Sequence, residues 1–433
     1  MISENKKIEN FVNEFLNENY KKEKFNPGTT LIPPSGKLIG PTEIKYMVEA
    51  SLDGWLTTGR FNSAFQEKLS KFLNIKHLIT VNSGSSANLL AFSSLTSHLH
   101  KERAIKPGDE IISVAAGFPT TVNPLFQNGA IPVFVDIKLP TYNVDENLIE
   151  EAITKKTKAI MLAHTLGNPF NLKKITEICK KYNLWLVEDN CDALGTKYNN
   201  QFTGTFGDVA TLSFYPAHHI TMGEGGALFT NNFRIKRVAE SFRDWGRDCY
   251  CEPGVENTCG KRFNWKLGEL PQGYDHKYIY SHVGFNMKIT DMQAACGLGQ
   301  LNNLESFIKK RKSNVEFLKK QLSEIQDIVM LPEAEPNSDP SWFGFPITIK
   351  KGSKFKREDI IKKLTEAKIG TRLLFAGNLT KQPAYIKKKF IISGNLKITD
   401  LIMQNTFWVG IQPSLGEEEL SFVAKTLLDF FKS

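Results

Sequence analysis

Six short apolar runs constrain this chain more than any other feature: HLITV (77–81), EIISV (110–114), PVFVDI (132–137), AIMLAH (159–164), LWLVED (184–189) and ATLSFY (210–215). Several are apolar at successive positions rather than alternate ones, so both faces of those strands must be covered. Helical patterns separate them. Strand–helix–strand alternation of this kind gives a mainly parallel sheet with helices on both faces. The alternation runs from about Pro41 to Leu304, which sets a large domain at 41–304 behind an N-terminal arm at 1–40. A helical pattern over 291–320 leads into a smaller α+β domain within 305–433. That domain opens on the Pro-rich LPEAEPNSDP and closes on the amphipathic EEELSFVAKTLLDFFKS.

Composition excludes several classes. The chain is 41% apolar and 23% charged, with no apolar run long enough to span a membrane. Its first residues are charged throughout and lack an apolar signal core, so a cytoplasmic protein is expected. The net charge of +9 is dispersed along the chain. Its densest runs, at 309–312 and 387–389, read as solvated faces rather than nucleic-acid patches.

Three segments carry candidate chemistry beside a fourth, SFYPAHHITMGEGG (213–226). In TVNSGSSANLL (80–90) a strand runs into Ser83, Gly84 and Ser85, with a helix beginning near Ala87. Small residues at a helix N-terminus leave N–H groups free for a phosphate, although a plain serine N-cap has the same appearance. In LWLVEDNCDALG (184–195) Glu188 and Asp189 close an apolar strand. A carboxylate there suits a protonated pyridine nitrogen, and equally a strand end or a helix cap. In GFPTTVNP (117–124) Phe118 follows a strand and suits either ring stacking or core packing. Within 213–226 a strand breaks at Pro216, two histidines follow, and a glycine-rich return begins at Gly223.

Together these segments resemble the pyridoxal-phosphate sugar aminotransferases of the StrS type. PVFVDIKLPTYNVD (132–145), HTLGNPF (164–170), GFNMKITDMQAACGLGQL (284–301) and RLLFAGNLTKQPAY (372–385) extend the match from about residue 40 onward. The resemblance implies an aspartate-aminotransferase (type I) fold with a mainly parallel seven-stranded sheet. It implies a phosphate held by Gly84, Ser85 and Ser213, a ring stacked on Phe118, and Asp189 on the pyridine nitrogen. Asp192 stands where many relatives place a histidine beside the cofactor. Asn286 matches a residue that reaches the phosphate of a neighbouring subunit, so a homodimer is expected.

One position departs from the aminotransferase pattern. Relatives carry the cofactor-binding lysine five residues after the serine of the 213–226 stretch, and here that residue is His218. Imidazole forms no Schiff base but moves protons near neutral pH. Lys197 and Lys236 lie on other segments. Within the family, this exchange marks the 3-dehydrases of nucleotide-linked 4-keto-6-deoxy sugars, which use pyridoxamine phosphate (PMP). Of their two branches, one acts on a GDP-sugar without a cluster. The other acts on CDP-4-keto-6-deoxyglucose with a [2Fe–2S] cluster and an NADH-dependent flavin and iron–sulfur reductase.

Cys191, Cys249, Cys251 and Cys259 give the spacing C-x57-C-x-C-x7-C. That spacing suits structural zinc poorly and by itself leaves a cluster open. With the resemblance, the four cysteines become the expected [2Fe–2S] ligands and the cluster-bearing branch, in 3,6-dideoxysugar and O-antigen synthesis, the favoured one. Cys179 and Cys296 sit in helical patterns and read as core, while His219 and Glu224 receive no catalytic role. The alternatives are the cluster-free GDP-sugar dehydratase, an aminotransferase that recruits another lysine, and a silent binding protein.

Overall fold

The computed structural model describes residues 5–19 and 24–432. Its main sheet has seven strands: β1 (His77–Val81), β2 (Glu110–Val114), β3 (Ile131–Val135), β4 (Thr157–Ala163), β5 (Trp185–Asp189), β6 (Val209–Ser213) and β7 (Gly226–Thr230). They lie in the order β1-β7-β6-β5-β4-β2-β3, and Ile391–Ile392 adds a two-residue strand beside β3. From β6 through β3 the sheet is parallel, whereas β7 runs antiparallel to both β1 and β6. Every residue of β2, β3, β5 and β6 is buried. The two faces contribute separate apolar clusters, one around Phe92, Phe134 and Met161 and the other around Ile160, Phe170 and Leu186. Burial on both sides explains why these strands read as continuous apolar runs.

The sequence pattern missed β7. The glycine-rich return was legible, but its last glycine, Gly226, is already the first residue of a strand. A Cβ there would meet the Ser83 carbonyl oxygen at 2.4 Å, so only glycine lets β7 pass this close to the end of β1. The helical pattern over 291–320 is two helices, Asp291–Gln300 and Leu304–Gln321, parted at residues 301–303.

Beyond residue 328, the strands Val329–Met330, Phe345–Ile349, Thr406–Val409 and Thr371–Leu373 form a four-stranded antiparallel sheet in that order. Helices Leu304–Gln321, Arg357–Glu366 and Glu417–Phe431 supply apolar residues to its core. No helix among the described residues is long and apolar enough to cross a membrane.

Candidate cofactor site

A cavity of about 1030 Å³ opens at the C-terminal edge of the parallel strands. Val114, Ala163, Asp189 and Ser213 line it, and each is the last residue of its strand (β2, β4, β5 and β6). From β2 the chain steps outward to β3, then crosses back to β4 and proceeds the other way. A reversal of this kind leaves a crevice between diverging loops, where open α/β sheets bind ligands. Phe375 and Trp408, from the C-terminal part of the chain, close the opposite wall.

At one end of the cavity, helix Gly84–Ser94 points its N-terminus inward. Ser83 is its N-cap, accepting the Ser86 N–H on its hydroxyl at 3.0 Å. The first intrahelical bond is donated by Ala87, to the Ser83 carbonyl, so the Gly84 and Ser85 N–H groups precede the helical ladder. The helix therefore starts three residues earlier than its sequence indicated. Gly84 packs so tightly on the end of β6 that a Cβ would sit 2.4 Å from the Ser213 Cβ. Free N–H groups, the helix dipole and the Ser85 and Ser213 hydroxyls give this corner of the cavity a polarity suited to an anion such as a phosphate.

Across the cavity floor lies Asp189, 5% exposed. Its Oδ2 accepts from Asn88 Nδ2 at 2.8 Å and from the Thr121 hydroxyl at 2.7 Å, and its Oδ1 accepts from the Cys191 N–H at 3.2 Å. Glu188 has a separate task. It points away from the cavity and accepts the N–H groups of Gly204, Phe206 and Gly207 and Nε2–H of His164, which fixes the β5 terminus.

His218 reaches the cavity from the β6–β7 connection. Burial, and then the charge of Arg311, push its pKa down to about 4, so its imidazole is neutral at neutral pH. Nδ1 lies 3.6 Å from Asp192 Oδ1, beyond hydrogen-bond range, and makes no hydrogen bond. Burial and nearby Asp189 raise the Asp192 carboxyl to about 8. A neutral imidazole thus faces a protonated carboxyl, an arrangement able to pass a proton but not to form an ion pair. His219, the neighbouring residue, points away and donates from Nε2 to the Ser341 carbonyl at 2.8 Å. Glu224 is a turn residue whose carbonyl accepts from Gln293.

Phe118 lines the same cavity with half its surface exposed. Asn286 does not line it. That residue is exposed and pairs by backbone with Asp244.

The cysteines divide into two groups. Cys191 lines the main cavity, with its Sγ 3.8 Å from the Thr211 hydroxyl. Cys249, Cys251 and Cys259 line a separate small recess, where Cys259 Sγ lies 3.8 Å from His276 Nδ1. Among the described residues no group of three or more His, Cys, Asp or Glu side chains is placed to hold a metal ion. Among the described residues the four-sulfur set expected for a cluster is therefore not assembled. Cys179 and Cys296 are buried core residues, as their helical patterns indicate.

Several site residues escaped the sequence reading. Asn88 follows Gly84 by four positions, one helical turn, and that spacing was the available signal. Thr121 carried no comparable mark. Arg311 was concealed in the basic run at 309–312, read as solvated, yet it is 1% exposed. Its signal was periodicity, since Phe307, Ile308, Arg311, Asn314, Val315 and Leu318 share the buried face of their helix.

The chain belongs to the DegT/DnrJ/EryC1/StrS aminotransferase family, whose model matches residues 37–428. The lipopolysaccharide biosynthesis protein RfbH of Salmonella typhimurium is 61% identical over 98% of this chain and 97% of that protein. A dTDP-4-dehydro-2,6-dideoxy-D-glucose 3-dehydratase of Saccharopolyspora spinosa is 49% identical over 95% of this chain and 90% of its own length. Among solved structures, an E. coli GDP-4-keto-6-deoxy-D-mannose-3-dehydratase with bound hydrated pyridoxal phosphate (PLP) superposes with a TM-score of 0.81. It is 28% identical over 92% of this chain and 99% of that one. These matches bear out the family and the fold read from the sequence.

Proposed function

We propose that the protein is a PMP-dependent 3-dehydrase of a nucleotide-linked 4-keto-6-deoxyhexose. The observation that carries this reading is the cavity's composition. It pairs a phosphate cradle and a strand-end carboxylate with a buried neutral histidine, and no lysine is among the described residues lining it. The dehydratase relatives support the substrate class. The Salmonella relative's name supports a role in lipopolysaccharide synthesis.

When bound, PMP supplies an amine to condense with the sugar's C4 ketone and a ring to accept electrons as a C4′ proton leaves. Gly84 and Ser85 N–H groups, with the Ser85 and Ser213 hydroxyls, would hold its phosphate. Phe118 would face the ring. Asp189, fixed by Asn88 and Thr121, would hold the proton on the pyridine nitrogen. His218 would remove the C4′ proton: it is the imidazole lining the cavity and is unprotonated at neutral pH, although a pKa of about 4 makes it a weak base there. Asp192, neutral at neutral pH, lines the same wall without competing for that proton. Asn286, exposed outside its own cavity, belongs in this reading to the phosphate site of a second copy.

The spacing of Cys249, Cys251 and Cys259, which line one recess without forming a metal-holding group there, and the family resemblance favour a fuller reading in which they join Cys191 on a [2Fe–2S] unit. The substrate would then be CDP-4-keto-6-deoxyglucose, and an NADH-dependent flavin and iron–sulfur reductase would supply electrons. Iron and acid-labile sulfide on anaerobically purified protein decide it. About two of each per chain would support that reading, and iron-free protein would leave the cluster-free dehydratase.

The core proposal is tested with PMP, substrate and the His218→Asn variant in deuterated buffer. Wild-type protein should exchange the C4′ hydrogen and expel the C3 hydroxyl as water, with a 3-deoxy product released only where two electrons are supplied, by a reductase or by conversion of PMP to PLP and ammonia. Exchange that survives in His218→Asn removes the histidine from the chemistry.

A further inference from the structure

A buried cation grips the His218 loop from behind. Arg311 projects from helix Leu304–Gln321, and its guanidinium meets carbonyl oxygens rather than a carboxylate. Nη1 donates to Trp342 at 3.3 Å and Phe343 at 3.0 Å, while Nη2 donates to Ala217 at 3.5 Å and His218 at 3.4 Å. The segment 341–343 also touches the loop twice more. His219 donates to the Ser341 carbonyl at 2.8 Å, and the Phe343 ring lies 5.1 Å from the His218 ring, centroid to centroid.

Burying an arginine without a carboxylate partner is costly. Joining two backbone segments requires only a neutral donor, yet here a planar fork spans two carbonyls on each side, as Lys or Gln would not. The His218 ring has few polar restraints of its own: it interacts with the Cys191 backbone, and its Nδ1 meets no partner within hydrogen-bond range. Its placement depends on its own backbone and on the Phe343 ring, and Arg311 holds both.

We propose that Arg311 is a positioning residue for His218. It locks the 217–219 loop to residues 341–343 and so fixes the imidazole over the cavity floor. His219 is the second half of the same clasp, which gives the paired histidines distinct tasks. The inference rests on the reading of His218 as the proton-transfer group.

The test uses the full-length protein with PMP and the sugar nucleotide. Arg311→Lys keeps the charge but loses the fork. Its rate of C4′ hydrogen exchange should fall about 10- to 100-fold, the penalty of a misplaced catalytic group. The PMP Kd and the sugar-nucleotide KM should stay within about threefold of wild type. In the cofactor-free protein, amide exchange over 217–220 should accelerate by about tenfold, because the clasp is a local restraint. Unchanged exchange rates at C4′ or over 217–220 would overturn the inference. So would a loss of PMP affinity as large as the loss of rate, which indicates general disruption of the site. Should Arg311→Lys not fold, Phe343→Leu removes the ring contact while sparing the carbonyls. It must then lower kcat at constant KM, and an unaltered kcat overturns the proposal. His218→Asn, run in parallel, separates the two readings. If it abolishes C4′ exchange while Arg311→Lys is silent, only the positioning role falls. If it leaves exchange intact, the proposed function fails and this inference with it.

Discussion

Replacing Asp189 with asparagine changes one atom at the most constrained point of the site. Asn88 and the Thr121 hydroxyl both donate to Oδ2, at 2.8 and 2.7 Å. An asparagine must therefore place its carbonyl oxygen there and its NH2 where Oδ1 was, facing the Cys191 N–H and the cavity. That NH2 donates to a neutral ring nitrogen but cannot accept from a protonated one. The interaction lost is a hydrogen bond between charged partners, worth about 1.5–3 kcal/mol, or roughly 10- to 150-fold in affinity. The Cys191 N–H now opposes another donor, which adds about 1 kcal/mol to the cost. Titrating cofactor-free protein with PMP, followed by calorimetry or tryptophan fluorescence, measures the first term directly. A matching circular dichroism spectrum and a cooperative melt, lowered only by that intramolecular cost, establish that the variant is folded. An Asp189→Asn protein that binds PMP within about twofold of wild type would refute the reasoning, because the carboxylate would then not face the pyridine nitrogen.

Three further outcomes follow from the same geometry. His218→Lys restores an amine where StrS-type relatives carry theirs, and should form a Schiff base with PLP that borohydride reduces to a stable secondary amine, read as a mass increase that the wild type lacks. Gly84→Ala brings a Cβ to 2.4 Å from Ser213 Cβ. It should cost about 1–3 kcal/mol by overpacking, measured by denaturant unfolding, and weaken PMP phosphate binding. His282 lies between the Ser97 and Ser241 hydroxyls, and burial first, then nearby His98, lower its pKa to about 4. Its folded value is below its unfolded value of 6.5, so protonation favours the unfolded chain. Stability from this group is present above pH 6.5 and is lost as pH falls toward 4. His282→Gln should flatten that part of the stability curve, as read by melting temperature against pH.

What the sequence disclosed about the site depended on how many residues sit in one local segment. Gly84 and Ser85 were readable because strand end, N-cap and helix start are contiguous, and the chemistry is backbone chemistry. Asp189 was placed at a strand end because a carboxylate closes an apolar run there, but a strand end or a helix cap accounted for it equally until the family resemblance was added. Neither segment indicates its distance from the other. The sheet order sets that distance, with β7 inserted between β1 and β6, and β7 was the strand the pattern missed. Gly226 explains the omission. A glycine that lets two strands approach looks in sequence like a turn glycine.

Arg311 shows the opposite failure. Its charge suggested solvent, while the period of its neighbours placed it inside. At a buried position period outweighs charge, because a helix face is fixed by all its apolar residues together and one cation can be paired with carbonyl oxygens. The four cysteines make the same point about spacing. Cys249, Cys251 and Cys259 are close in sequence and share a recess, whereas Cys191 follows β5 and is carried by that strand into the main cavity. Short spacing survives folding as proximity. A separation of 57 residues specifies no distance, and assembly of a four-thiolate set would require Cys191 and the 249–259 loop, which line separate cavities, to come together. Amide exchange over that loop, with and without anaerobic iron and sulfide loading, reads the movement directly: protection of 249–259 together with 190–192 on loading supports it, and unaltered exchange at 190–192 confines any metal to the three-cysteine recess.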